Sequence, residues 1–323
     1  MYAITCLTPG GPEHLVWAEV PTPEPAPGEI RIKVTAAGVN RADVLQRTGH
    51  YPPPPGVSDI IGLEVSGVVE KLGAGVTTHQ VGDEVVALLG GGGYAEYVVC
   101  PAGQAVPPPP GVDLVSAAAV MEVAATVVSN MDMVGLKAGD VFLAHGGSGG
   151  IGSFAIQYGK ALGCTVATTA GSPEKLAYCK SLGADIAIDY HDEWWDALRV
   201  ATNDYGADVI LDLLGAGYLE PNIDALAPDG RLVIIGMQKG TKGELNIAKM
   251  LGKRASVWAT SIRQRPVAQK VAIAAATATR VWPLIADGRI KLAPETRFPL
   301  ADARLAHEQL TSGENIGKII LVA

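Results

Sequence analysis

Cysteine is scarce in this 323-residue chain: Cys6, Cys100, Cys164 and Cys179 are scattered and form no C-x-x-C. The spacing excludes a disulfide scaffold, and reduced thiols in a cytoplasmic protein are the plain inference. Phenylalanine occurs only three times. Nowhere is charge of one sign concentrated: 25 Lys and Arg face 33 Asp and Glu, giving net −8 and a pI near 5.3. Neither nucleic acid nor an acidic membrane is therefore expected as a partner. Long hydrophobic runs are also missing, and the nearest, Val267 to Ile285, is broken by Lys270 and Arg280 and carries Pro283 near its end. The opening Met1-Tyr-Ala-Ile-Thr-Cys has no basic stretch followed by an apolar one, so a strand is expected there and not a signal peptide. Six histidines (His14, His50, His79, His145, His191, His307) show no paired ligand spacing, and only His145 falls where a cofactor is expected. Glycine (39) and proline (22) are plentiful instead, and 48% of residues are hydrophobic against 18% charged. That is the composition of a well-packed soluble chain with many tight loops, and its length implies two domains.

The chain is organised around Val141-Phe-Leu-Ala-His-Gly-Gly-Ser-Gly-Gly-Ile-Gly152. A short apolar run turns on glycines and enters a segment of helical periodicity reaching Leu162. Gly147-x-Gly149-x-x-Gly152 fits the dinucleotide fingerprint, in which one glycine turns the chain, one admits a pyrophosphate and one packs helix on strand. The phosphates of such a ligand meet unpaired N–H groups at the positive end of the helix. Glycine-rich turns also occur without ligands, but the strand–turn–helix context favours a dinucleotide.

From Met1 to about Met121, period-2 runs such as Glu29–Ala36 and glycine punctuation predict strands, Glu29–Ala36 being half-buried. Further strands are expected at Val65–Leu72, Glu84–Leu89 and Tyr94–Cys100. The proline runs Pro52–Pro55 and Pro107–Pro110 read as rigid loops. Asp113 to Val134 predicts one or two helices. Strands near residues 141, 165, 186, 209, 232 and 256 then alternate with helices, which means βαβ units and a parallel sheet. A helix over Val267–Ala286 and mixed elements to Val322 suggest that the C-terminus returns to the first domain.

The second strand of the alternation ends Thr168-Thr-Ala-Gly-Ser172, without the acid that grips a ribose 2′-hydroxyl. A carboxylate there would repel a 2′-phosphate, so its absence permits NADP. Ser172-Pro173-Glu174-Lys175 supplies an N-cap, a first-turn proline and a lysine. A phosphate site and an ordinary helix start explain it equally well. Tyr190 fits a cover for the adenine-ribose end and fits an edge aromatic. NADPH is the favoured coenzyme.

Asn40-Arg-Ala-Asp43…Gln46-Arg-x-Gly49-x-Tyr51-Pro-Pro-Pro, Gly62-Leu-Glu64-x-Ser-Gly67 and Gly82-Asp83-x-Val resemble the zinc-free quinone oxidoreductases of the medium-chain dehydrogenase/reductase superfamily. Gly149-Gly150-Ile151-Gly152, Gly171-Ser172…Lys175, Asp189-Tyr190 and Asn315-Ile-Gly317-Lys318 extend the resemblance over the whole chain. It implies an α/β architecture: a catalytic domain built as a GroES-like distorted β-barrel, and a doubly wound Rossmann domain that binds NADP. The first would comprise residues 1–121 and 265–323 and the second residues 122–264, with a cleft between them. It also implies homo-oligomers, dimers or tetramers, with cofactor-domain sheets paired edge to edge through Ser256–Thr260.

Zinc-dependent relatives hold their metal with an early cysteine and a His-Glu pair. Those positions here are Asn40 and Leu63-Glu64, so no metal is expected. Without a Lewis acid, ordinary ketones are poor substrates, whereas quinones and enones accept hydride readily. The resemblance places Asn40 and Tyr51 at the reacting carbonyl as hydrogen-bond donors; on residue pattern alone, Asn40 also reads as a turn cap and Tyr51 as a loop seal. Cofactor contacts are expected from Asn40, Thr126, Gly147, Gly149, Gly150, Ile151, Gly152, Gly171, Ser172, Lys175, Tyr190, Leu214, Gly236, Met237, Ser261 and Asn315. Hydride transfer from NADPH to ortho- or para-quinones is the leading function. Reduction of α,β-unsaturated carbonyls and a non-enzymatic, crystallin-like NADPH-binding role are the alternatives.

Overall fold

The computed structural model describes residues 1–323, which form two compact units. One comprises Met1–Ala125, Ile262–Gly288 and Leu292–Ala323; the other comprises Thr126–Ser261 and Arg289–Lys291.

In the first unit β1 (Tyr2–Thr5) pairs antiparallel with β2 (Val16–Glu19). There follow β3 (Glu29–Val39), α1 (Arg41–Arg47), β4 (Glu64–Leu72), β5 (Glu84–Leu88), β6 (Tyr97–Pro101) and β7 (Ala105–Val106). Helices α2 (Leu114–Ala117) and α3 (Met121–Val134) come next, and α3 runs on into the second unit. By length and composition the window Leu114–Val134 is long and apolar enough to cross a membrane, which corrects the expectation that no such stretch exists, although 78% of the window is buried inside the protein.

The second unit alternates β8 (Val141–Ala144), α4 (Gly150–Leu162), β9 (Thr165–Ala170), α5 (Pro173–Ser181) and β10 (Ile186–Asp189). It continues with α6 (Trp194–Ala201), β11 (Ala207–Asp212), α7 (Leu219–Ala225), β12 (Leu226–Ile234), α8 (Ile247–Lys253) and β13 (Ser256–Ala259). The chain closes with α9 (Val267–Ala286), β14 (Glu295–Pro299), α10 (Ala303–Ser312) and β15 (Lys318–Val322).

The sheet of the first unit has the order β14-β15-β3-β4-β5-β7, with β6 also on β3. Its centre is the eleven-residue β3, which takes β4 along its length, β6 beside Glu29–Lys33 and β15 beside Ala36–Val39. The alternation in β3 predicts one wet face, yet only Lys33 is exposed. Both faces are covered: the main core (Ile30, Ile32, Val34, Val65, Val85, Leu321) fills one, and Ala118, Ala119 and Ile320 pack on Ala36 at the other. The register shift between Val34 and Ala36 is a bulge of the kind that bends a strand round a barrel-like core.

The sheet of the second unit is parallel, in the order β10-β9-β8-β11-β12-β13. In order of appearance this is 3-2-1-4-5-6, the doubly wound arrangement whose direction reverses between β8 and β11. Ligands collect at such a reversal, outside the carboxyl ends of the strands. Gly159 lets α4 lie close on the sheet, since a Cβ there would sit 2.8 Å from the Phe142 ring. Gly163, in the left-handed conformation at φ 87°, then ends the helix.

Candidate active site

Four residues at the carboxyl end of β8 divide the work of the fingerprint. The turn is made by Gly146 at φ 70°, one residue before the first glycine of the G-x-G-x-x-G match. Gly147 is needed for space: a Cβ would lie 2.7 Å from the Cys179 sulfur and collide with the Thr168 hydroxyl. Gly152 is closed by the Gly146 carbonyl and by the Gly147 Cα at 2.6 Å. Gly149 differs, because the nearest atom to its notional Cβ is the Gly146 oxygen at 3.5 Å. Nothing in the protein demands a glycine there, whereas a phosphate approaching the backbone does. Gly149, Gly150 and Ile151 are all partly exposed, so the first turn of α4 presents its N–H groups to a ligand.

His145 lies fully buried beneath this turn, and not at a cofactor surface. Its Nδ1 is 3.0 Å from the Thr169 hydroxyl and its Nε2 2.8 Å from Asn222 Oδ1. The amide oxygen can only accept, which assigns the ring proton to Nε2 and leaves Nδ1 to accept from Thr169. Thr169 Oγ1 in turn takes the Gly146 N–H at 3.3 Å. Trp194 and Tyr218 meet the imidazole edge-on. Burial lowers its pKa to about 4, so the ring is neutral at physiological pH.

At the ends of β9 and β10 the structure gathers four of the expected residues. The Ser172 hydroxyl caps α5 by accepting from Lys175 N at 3.2 Å, with Pro173 in the first turn. Tyr190 lays its hydroxyl over Gly171, where any Cβ would strike it. At the end of β11, the fully buried Asp212 accepts from Leu214 N at 2.7 Å and Gly215 N at 2.9 Å; burial pushes its carboxyl up to about 6. The same loop is zipped to the segment after β12, with Lys239 N donating to Leu214 O at 2.7 Å and Gly236 packed against the Leu213 carbonyl. Leu214, Gly236 and Met237 thus form one rim. Thr126 passes its carbonyl to Asn130 Nδ2 at 2.8 Å, and Asn130 Oδ1 accepts from Thr260 at 2.5 Å, next to Ser261.

In the first unit Asn40 begins α1. Its backbone N–H donates to Asp43 Oδ2 at 2.7 Å, one half of a capping box, while its side chain turns inward. Asn40 Nδ2 donates to Glu64 Oε1 at 2.9 Å, and Asn40 Oδ1 accepts from Lys318 Nζ at 2.7 Å. Lys318 also pairs with Glu64 at 2.8 Å, and Glu64 Oε2 takes the Glu122 N–H at 2.9 Å. Both ion-pair partners are buried, Glu64 completely. The two charges orient the amide and leave its second N–H to donate elsewhere. Asp43 also accepts from Tyr94 at 3.0 Å, and burial raises its pKa to about 7.

Tyr51 belongs to a separate network: its carbonyl accepts from Arg263 Nη1 at 2.8 Å and its ring lies 5.1 Å from that guanidinium. Asn315 is a turn residue here, donating to Gly317 O at 3.1 Å and sharing no hydrogen bond with Asn40. Sequence reasoning missed Gly146, Arg263 and the role of the Lys318–Glu64 pair. A charge at the start of an apolar strand, Lys318-Ile-Ile-Leu-Val322, was the available signal for the last.

Residues 26–110 match the family described as the alcohol dehydrogenase GroES-like domain, and residues 150–277 the family described as zinc-binding dehydrogenase. The chain is 34% identical over 316 residues to a quinone oxidoreductase of Pseudomonas aeruginosa, covering 97% of each. It is 30% identical to a 2-haloacrylate reductase of a Burkholderia species, covering 97% of this chain and 96% of that one. The crystal structure of Escherichia coli quinone oxidoreductase complexed with NADPH superposes with TM-score 0.89 at 29% identity and full coverage of both chains. A GroES-like domain joined to a Rossmann domain defines the medium-chain dehydrogenase/reductase class. The chain belongs to the quinone oxidoreductase family of that superfamily.

Proposed function

We propose that the protein is an NADPH-dependent quinone oxidoreductase that works without a metal. The observation that carries this reading is the fingerprint turn, closed by protein at Gly147 and Gly152 and open at Gly149. A dinucleotide fits there, held by Gly147, Gly149, Gly150, Ile151 and Gly152 at its phosphates. Gly171, Ser172, Lys175 and Tyr190 would hold the adenosine end; Leu214, Gly236, Met237, Ser261, Thr126, Asn40 and Asn315 are proposed for the remainder. NADPH, when bound, supplies the hydride. The chain's own part is to hold the acceptor carbonyl and exclude water. The spare N–H of Asn40 and the Tyr51 hydroxyl are the proposed donors to that oxygen.

The donor set supports the metal-free reading. A catalytic zinc takes cysteine, histidine and carboxylate ligands, and those positions here hold Asn40, Leu63 and Glu64. Glu64 is already neutralised by the Lys318 ammonium at 2.8 Å. Stoichiometric zinc in the purified protein would overturn this.

The test is NADPH absorbance on adding naphthoquinone or phenanthrenequinone. Turnover is expected, and a protein inert to all quinones and enones but still able to bind NADPH would support the crystallin-like alternative. Similarity to a 2-haloacrylate reductase favours a second reading, reduction of activated alkenes; activity on enones with none on small quinones would establish it. NADPH should be preferred to NADH in kcat/KM, and Lys175→Ala should erode that ratio while leaving NADH kinetics unchanged. Four free thiols support a cytoplasmic location. A homo-oligomer, dimeric or tetrameric, is proposed through the outer edge of β13.

A further inference from the structure

Arg263 is only 1% exposed, yet all three of its hydrogen-bond acceptors are neutral. Nε donates to Gly90 O at 2.6 Å, Nη1 to Tyr51 O at 2.8 Å and Nη2 to Gln46 Oε1 at 2.7 Å. The guanidinium carbon also lies 5.1 Å from the Tyr51 ring centroid, within cation–π range. Gln46 reaches onward, donating Nε2 to Asp59 O at 2.9 Å. One planar fork therefore ties the last turn of α1, the proline loop 51–59 and the glycine run 90–93.

A second buried cation stands beside it. Lys270 Nζ donates to the Arg263 carbonyl at 3.4 Å, and burial lowers the pKa of both groups. Burying a guanidinium without a carboxylate is costly, and a neutral donor would hold a loop at lower cost. What a guanidinium adds is five donors in a fixed plane, able to set a carbonyl, an amide and an aromatic ring in one geometry.

We propose that Arg263 is a positioning residue for the acceptor end of the site, holding the Tyr51 side chain in the one orientation that presents its hydroxyl to the acceptor carbonyl. The proposal deepens the quinone reductase reading and rests on its placement of Tyr51. Arg263 itself touches no substrate; it acts through Tyr51.

A double-mutant cycle tests this. Arg263→Lys keeps the charge and loses the fork, and it is made in the wild type and in Tyr51→Phe. In the wild type, kcat/KM for 1,4-naphthoquinone should fall by roughly 10- to 100-fold, the scale of a misplaced catalytic group. KM for NADPH should stay unchanged. In Tyr51→Phe the same substitution should cost nothing more, because the hydroxyl to be positioned is gone. An equal loss in both backgrounds, no loss at all, or a loss confined to NADPH binding overturns the proposal. If Arg263→Lys does not fold, Gln46→Met, which removes one arm of the clamp, should show a smaller loss with the same dependence on Tyr51. A wild type that turns over no acceptor sinks the functional reading instead. The cycle is then read by calorimetric binding of 1,4-naphthoquinone to the protein saturated with NADP⁺. Weakening by Arg263→Lys only where the Tyr51 hydroxyl is present sustains the proposal, and any other pattern ends it.

Discussion

Lys318 and Glu64 show at single-residue scale how a site can be held by a charge pair that never leaves the interior. Burying both ions carries a desolvation cost, offset here because Glu64 receives the ammonium, the Asn40 amide and a backbone N–H together. Removing one partner leaves the other charge stranded. Lys318→Met is expected to destabilise the protein by about 3–5 kcal/mol in urea unfolding, and adding Glu64→Gln should restore part of that. The Asn40 amide loses its orientation in the single variant, so acceptor kcat/KM should fall further than KM for NADPH rises. Asn40 and Tyr51 were both legible as candidates in the N-R-A-D…Y pattern. Their partners were not, because Lys318 and Arg263 lie 278 and 212 residues away along the chain.

Elements were easier to read than contacts. The bounds of α9 and the starts of β8, β9, β10 and β13 fall where the sequence places them. Local patterning encodes which face is buried, and length alone does not decide how much of it shows: the four-residue β8 and β10 were legible, whereas α1, β2 and α8 gave no usable signal. Below the glycine turn, the link from Gly146 through Thr169 and His145 to Asn222 ties β8 and β9 to α7. The neutral imidazole fixes the sign of its pH dependence. An unfolded histidine takes up a proton near pH 6.5, and His145 resists doing so until about pH 4. Its contribution is therefore complete above pH 6.5 and lost as pH falls toward 4, a change of about 3 kcal/mol. His145→Asn should be less stable than wild type at pH 7, with the gap narrowing across that window in thermal melts. A gap that widens in acid would refute the neutral ring.

At the scale of the whole molecule, β13 is the outermost strand of its sheet and Trp258 on it is 44% exposed. Open edges of this kind invite pairing between copies related by a twofold axis. Under the proposed β13 pairing, Trp258→Glu should lower the mass seen in sedimentation velocity relative to the wild type, and an unchanged mass would refute that pairing. The apolar faces of the units, the alternation of strand and helix, and the fingerprint turn follow from the sequence alone, because periodicity and glycine placement are local properties of a chain. Only tertiary structure decided that Gly146 makes the turn, that β3 is covered on both faces, and which cations meet Asn40 and Tyr51. A buried polar side chain is defined by its partner, and the fold brings partners together from opposite ends of the chain where no local pattern records them.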